Sequence, residues 1–321
     1  MSDAPRPGRP AAYPADLPKP DRCVVMGVVN VTPDSFSDGG QWFEADAAIA
    51  HGIELARAGA DLVDVGGEST RPGASRPSED EELHRVIPVV SELAAAGVTV
   101  SIDTMRANVA ERAIEAGARL VNDVSGGRAD PDMLRVVAAS GVPVVLMHWR
   151  GHSSDMQSRA TYGDVTTEVR NELEPQVDAA LAAGIKPEYV VVDPGLGFAK
   201  TGEHNWTLLA QLDQIVGWGF PVLVAASRKR FLGTLLADPV TGADRPASER
   251  DAASAVLSAM IAMAGVWCVR VHDVPPSIDA VRVAARLGQE LSAVRDQPSA
   301  VRDLEVADLT RAVVGDAAED G

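Results

Sequence analysis

Short apolar runs alternate with longer amphipathic stretches along most of the chain. Each run is β-rich and ends in polar residues, and an Ala-rich segment with helical spacing follows it. Eight such runs are legible: Cys23–Thr32, Asp61–Gly67, Thr99–Thr104, Leu120–Ser125, Pro143–Trp149, Tyr189–Gly195, Pro221–Ser227 and Trp267–Asp273. The spacing predicts helices over about 44–58, 79–95, 106–116, 130–140, 164–184, 203–218, 247–264 and 275–290. Several helical stretches end in Ala-Gly, at Ala58-Gly59, Ala96-Gly97, Ala116-Gly117 and Ala183-Gly184, where glycine suits a left-handed helix terminus. The strand runs are nearly continuously apolar rather than alternating, so both faces are buried, as in a parallel sheet covered by helices. Eight βα units predict an α/β fold, a single (β/α)8 TIM barrel, a fold of about 250 residues. An open doubly wound sheet is the alternative, and no G-x-G-x-x-G follows the first strand to support it.

The barrel units span 22–290. Residues 1–21 ahead of them are rich in proline and lack apolar periodicity, and so predict a disordered leader. The stretch 291–321 is polar and acidic and predicts a loose tail, with a short helix near 299–313. No run approaches the ~18 apolar residues of a membrane span, and the leader has no apolar segment like a secretory signal. A cytoplasmic protein is expected. Among 321 residues, 29 basic and 46 acidic side chains leave a net charge of -17. That balance argues against binding duplex nucleic acid, which needs a basic face, and leaves room for a local anion site. Cys23 and Cys268 are too few for a disulfide framework and read as free thiols in a reducing compartment. Only four basic residues are lysines, Lys19, Lys186, Lys200 and Lys229, so a lysine inside a motif stands out.

In such barrels, chemistry collects at the C-terminal strand ends. Polar groups lie there in nearly every unit: Asn30, Glu68 to Pro72, Asp103, Asn122, His148, Asp193, Ser227 to Arg230, and Arg270 to Asp273. One such group is usually a cap for the next helix. Eight converging on one rim need partners that an apolar barrel does not supply. Arg270 and His272, two apart on one strand, face the same way and with Asn30 suggest a small anion site, a phosphate with its metal. Asp103, Asn122 and Asp193 suit the donor-rich edge of a flat heterocycle, with Lys229 adding a donor. No His/Cys spacing suits zinc, whereas Mg2+ held by one amide or carboxylate and ligand phosphates is compatible with the rim. Neither a P-loop nor a G-x-S-x-G elbow is present.

Several segments then resemble the bacterial dihydropteroate synthase family over residues 24–290. They are Met26-Gly27-Val28-Val29-Asn30-Val31-Thr32-Pro33-Asp34-Ser35-Phe36-Ser37-Asp38-Gly39-Gly40, Asp64-Val65-Gly66-Gly67-Glu68-Ser69-Thr70-Arg71-Pro72-Gly73-Ala74, Ser101-Ile102-Asp103-Thr104, Asn122-Asp123-Val124-Ser125-Gly126-Gly127, Asp193-Pro194-Gly195-Leu196-Gly197-Phe198-Ala199-Lys200, Ser227-Arg228-Lys229-Arg230-Phe231 and Arg270-Val271-His272-Asp273. The resemblance implies an enzyme joining a pterin diphosphate to p-aminobenzoate with Mg2+. It implies that Asn30 helps hold the magnesium–diphosphate unit, that Arg270 and His272 clamp the diphosphate, and that Val271 between them is a substrate-binding position. Asp103, Asn122, Asp193 and Lys229 would hold the pterin, and Thr70, Arg71 and Pro72 would lie in a mobile loop over the p-aminobenzoate site, bordered by Ser227 and Phe198. The catalytic set it implies is Asn30, Arg71, Lys229, Arg270 and His272. It also implies a homodimer through barrel helices, small-molecule substrates, and no nucleic-acid or membrane partner. Two readings stay open beside it. A methyltetrahydrofolate:corrinoid methyltransferase needs neither the Thr70-Arg71-Pro72 loop nor the Arg270/His272 pair, and a catalytically silent pterin-binding paralogue would have lost residues that are present in this chain.

Overall fold

The computed structural model describes residue 8 and residues 10–32, 41–68, 76–151 and 156–295. Eight strands form the predicted frame: β1 Val24–Asn30, β2 Leu62–Gly66, β3 Val100–Asp103, β4 Leu120–Asp123, β5 Val144–Met147, β6 Val190–Asp193, β7 Leu223–Val224 and β8 Cys268–Val271. All pairings are parallel, in the order β6-β5-β4-β3-β2-β1-β8-β7. A parallel bridge between Val192 and Val222, with the Val192 N–H donating to Pro221 O at 2.9 Å, brings β6 beside β7 and closes the ring. The helices are α1 Gln41–Arg57, α2 Glu79–Ala95, α3 Ala107–Glu115, α4 Met133–Ser140, α5 Val165–Ala182, α6 Gly202–Ala210, α7 Leu212–Val216, α8 Arg230–Leu235, α9 Asp251–Met263 and α10 Val274–Arg295. The predicted eight-unit barrel is thus the observed fold. Among the described residues no helix is long and apolar enough to cross a membrane.

Two apolar layers explain why the strands read as continuous runs. Val25, Val29, Val63, Val65, Val100, Ile102, Val121, Val144, Leu146, Val190 and Val269 point outward into the layer shared with the helices. Val24, Met26, Leu62, Leu120, Val145, Val191, Leu223 and Cys268 form a separate inner cluster with Trp267, which fills the floor of the barrel. Alternation along each strand then continues upward from aliphatic floor to polar rim. From Leu62 the next inward position is Asp64, from Leu120 it is Asn122, from Val191 it is Asp193, and from Cys268 it is Arg270. The four Ala-Gly junctions behave as read, with Gly59, Gly97, Gly117 and Gly184 all at positive φ between 80° and 115°.

Three expectations change. The predicted helix 203–218 breaks at Gln211 into α6 and α7, with φ -115° and ψ 26° there. A short helix, α8, follows β7 where the spacing predicts no helix, and the last helix runs to Arg295 rather than 290. The predicted leader is the third. From residue 10 onward it lies across the barrel floor: Leu17 is buried in the inner cluster and Tyr13 packs against it. Ala11 N–H donates to Gly265 O at 2.9 Å, Ala15 N–H to Glu188 O at 2.8 Å, and Tyr189 Oη to Asp16 Oδ2 at 2.6 Å. Residues 10–21 are therefore a plug rather than a disordered strand, because the open end of a barrel exposes apolar inner side chains that some segment must cover. The region around 299–313 lies outside the described residues.

Candidate active site

The rim is assembled from strand ends whose inward positions are polar. Arg270 on β8 crosses the barrel interior: its Nε donates to Asp64 Oδ2 at 2.6 Å and Nη2 to Asp103 Oδ2 at 2.8 Å. Asn122 Nδ2 donates to the same Asp64 oxygen at 3.0 Å, while Asp64 Oδ1, fully buried, has no partner among the described residues. Gly66 lies beside Asp103, where a Cβ would come within 3.4 Å of the Asp103 Cβ. Burial pushes the Asp103 carboxyl up to about 7; Arg270 opposes the rise and the neighbouring Asp64 charge adds to it. Arg270 stays charged, because the two carboxylates outweigh its burial.

Asp193 ends β6 with Oδ1 accepting the Gly195 N–H at 2.7 Å. Burial raises its carboxyl to about 6, against that bond and the charge of Lys229. Lys229 is itself pulled down to about 8 by burial, with Asp193 opposing. Its Nζ lies 4.3 Å from the centre of the Phe198 ring. The segment carrying Ser227 and Lys229 is locked from behind. Arg228, at a left-handed φ of 58°, makes paired bonds to Asp251 at 2.6 and 2.7 Å, and its N–H donates to Ser254 Oγ. Ser227 Oγ accepts the His272 N–H at 3.2 Å and lies 3.0 Å from His272 Nδ1. Burial and the nearby Arg270 hold His272 down to about 3, so its ring is neutral. When the serine hydroxyl donates to Nδ1, the proton of the imidazole lies on Nε2 as a further donor.

The structure thus brings Asp103, Asn122, Asp193, Lys229 and Arg270 onto the upper interior of one barrel, with Ser227, His272 and Phe198 around its mouth. Asn30 ends β1 in register with Gly66 and is partly exposed. Val271 points the other way, into the apolar layer behind the sheet, and offers the site no side chain. Thr70, Arg71 and Pro72 lie outside the described residues. Asp123, next to Asn122, faces outward and braces its loop, accepting from Ser125 N and Oγ and from Gly127 N at 2.7–2.8 Å. Asp64 was not among the predicted site residues. Its signal is legible: a lone carboxylate within Leu62-Val63-Asp64-Val65-Gly66, on the same inward phase as Leu62.

A model of the family described as pterin-binding enzyme matches residues 26–272. The dihydropteroate synthase of Mycobacterium leprae is 55% identical over 275 residues, spanning 84% of this chain and 96% of that protein. The solved structure of Xanthomonas albilineans dihydropteroate synthase with 4-aminobenzoic acid superposes with a TM-score of 0.76 at 43% identity, covering 87% of this chain and 95% of that one. A Xanthomonas albilineans structure in complex with 7,8-dihydropteroate gives 0.73 at 40% identity, with coverage of 87% and 95%.

Proposed function

Because the chain belongs to the pterin-binding enzymes, and within them to the dihydropteroate synthases, we infer that the polar rim is where its two substrates meet. The reaction condenses 6-hydroxymethyl-7,8-dihydropterin diphosphate with p-aminobenzoate and yields 7,8-dihydropteroate and diphosphate. The observation that carries the assignment of residues is the convergence of Asp103, Asn122, Asp193 and Lys229 above an aliphatic floor. A flat heterocycle fits that chamber: carboxylates accept its ring and amino N–H groups, and Lys229 donates to a ring nitrogen or carbonyl. Arg270, held in the plane between Asp64 and Asp103, presents a delocalised cation to the same chamber.

Asn30 supplies a hard amide oxygen at the end of β1, and among the described residues no group of three His, Cys, Asp or Glu side chains is placed to hold a metal ion. That donor set fits Mg2+ held chiefly by diphosphate oxygens, with Asn30 as the protein's contribution. When bound, the ion neutralises charge on the leaving diphosphate. The chain's own groups do the rest. His272, neutral and anchored by Ser227, donates from Nε2 toward the diphosphate, and Arg270 adds positive charge as the C–O bond breaks and its electron pair leaves with diphosphate. The pterin methylene becomes cationic, delocalised into a ring already held by Asp193 and Lys229. The arylamine nitrogen forms the new C–N bond and releases its proton to solvent. An arylamine is neutral at pH 7, so no strong general base is needed. Phe198, packed on Lys229, borders the approach of the aryl ring. Diphosphate release measured with each component omitted in turn tests the assignment: turnover requires both substrates and Mg2+, and release of diphosphate without p-aminobenzoate would count against it.

We propose further that the chain is a homodimer through α9 and α10. Val256 and Met260 on α9 and Val283 and Leu287 on α10 are large apolar side chains left more than half exposed on two helices packed on each other. Sedimentation equilibrium should give twice the chain mass, and Met260→Glu combined with Leu287→Glu should give the monomer.

A further inference from the structure

The loop that follows β6 is held in a conformation its own sequence resists. Gly195, Gly197 and Ala199 all adopt left-handed φ, at 68°, 80° and 48°, and the last has a Cβ. Two buried side chains hold it. Asn205 accepts the Gly197 N–H at 2.7 Å. Lys200 folds back under the loop, away from the rim, and its Nζ reaches Gly195 O at 3.1 Å, Phe198 O at 3.1 Å and His148 Nδ1 at 2.9 Å. Burial pulls the Lys200 amine down to about 7, with the Asp193 charge opposing; as an ammonium it has three donors and no acceptor, and three acceptors surround it.

The third acceptor fixes a chain of bonds behind the barrel. Opposite a protonated Lys200, Nδ1 of His148 accepts, so the ring proton sits on Nε2 and is donated to Glu172 Oε2 at 3.0 Å. Burial and the Lys200 charge hold His148 down to about 4, so the ring is neutral. Bonds from His148 and Arg150 hold the Glu172 carboxyl down to about 2. Arg150 is in turn stacked over the Tyr162 ring at 3.7 Å. The charge of this desolvated lysine is answered by Asp193 and, through an imidazole, by a carboxylate on α5. An apolar side chain would fill the same space without that desolvation cost. What the ammonium does that a hydrocarbon cannot is grip two carbonyls, one of them that of Phe198.

We propose that Glu172, His148 and Lys200 form a relay in which Lys200 is a positioning residue, holding the 194–200 loop so that the Phe198 ring stands as the wall of the arylamine site. The relay touches neither substrate; its effect passes through the Phe198 carbonyl, and it rests on the reading of Phe198 as a border of the p-aminobenzoate site. The Gly195 end of the loop also has a bond that Lys200 does not make, its N–H on Asp193 Oδ1, so loss of Lys200 leaves the pterin carboxylate anchored.

Three measurements on the full-length protein test this. In Lys200→Met, amide exchange across 194–200 should quicken at least about tenfold while β1 to β6 keep their protection. The KM for p-aminobenzoate should rise about tenfold, with pterin diphosphate affinity changed by less than about threefold. In a Phe198→Leu background the same Lys200 substitution should add less than about twofold to that KM, because the wall it positions is already gone. Should Lys200→Met fail to fold, Glu172→Gln, at a partly exposed position, carries the test with the same pattern at about threefold. Unchanged loop exchange in the soluble variant overturns the relay, and an equal loss for both substrates overturns its role as a positioning device. If Phe198→Leu alone leaves the KM for p-aminobenzoate unchanged, the reading of Phe198 fails, whereas the exchange result still decides the relay.

Discussion

Arg270 carries more of the fold than its motif suggests. On sequence grounds it pairs with His272 as an anion site; in the barrel its Nε and Nη2 are committed to Asp64 and Asp103, on strands 2 and 3. Removing the guanidinium strands two largely buried carboxylates, so Arg270→Ala should cost about 3–5 kcal/mol of unfolding free energy. The double variant Arg270→Gln with Asp64→Asn, which leaves no unpaired charge at that pair, should cost clearly less. Urea unfolding of the two compares them, and equal losses would show that the pairing adds nothing beyond packing. Asp193 makes the site pH-dependent. Its carboxyl titrates near 6 and must be ionised to accept the ligand's N–H groups. A pterin lacking the diphosphate should therefore bind about tenfold more weakly at pH 5 than at pH 7, and Asp193→Asn should flatten that dependence. The stability effect follows from the same raised pKa. The folded state keeps this proton longer than the unfolded chain, so the penalty appears as pH rises above the ordinary carboxylate range and is complete above about 6. Calorimetric titrations across that range separate the two.

Elements were legible to different depths. Strand positions follow from the apolar runs, because a strand covered on both sides tolerates polarity only at its ends. Helix 203–218 was legible as helical but not as broken: nothing in Leu209-Ala210-Gln211-Leu212 signals a stop, and the break turns Leu212, Ile215 and Val216 into the core. Pro88 and Pro175 lie inside α2 and α5, which run through both, as the predicted helices 79–95 and 164–184 do. The loop after β6 shows an element whose shape depends on one position. Gly195 has φ 68°, and a Cβ on it would lie 2.6 Å from the His148 carbonyl oxygen, which is backbone of β5's end and cannot swing aside. Gly195→Ala should destabilise the fold by about 1–3 kcal/mol, read as a lowered Tm, and reduce turnover by displacing Asp193. Wild-type turnover in that variant would mean that the loop tolerates a different path.

At the scale of the molecule, the plug over the barrel floor changes what truncation does. Deleting residues 1–20 exposes Val24, Met26, Leu62, Leu120 and Trp267 of the inner cluster, and removes Leu17 from it. The Tm should fall, by a loss of about 2–3 kcal/mol for Leu17 alone, while kcat of the folded enzyme is kept because the plug and the rim are at opposite ends. An unchanged Tm would return the leader to the disordered segment that its prolines and its lack of periodicity predict. The sequence by itself determined the eight βα units and the polar strand ends, because hydrophobic periodicity is a local property and two-sided burial writes it into each run. It also marked Asp103, Asn122, Asp193, Lys229, Arg270 and His272 as out of place among valines and leucines. Only the tertiary structure decided which of them meet. Arg270 and Asp64 are 206 positions apart, Lys200 and His148 are 52 apart, and Val271 and Arg270 are neighbours facing opposite layers. Those partnerships depend on the stagger of the strands and on the closing of the ring, and no segment contains either.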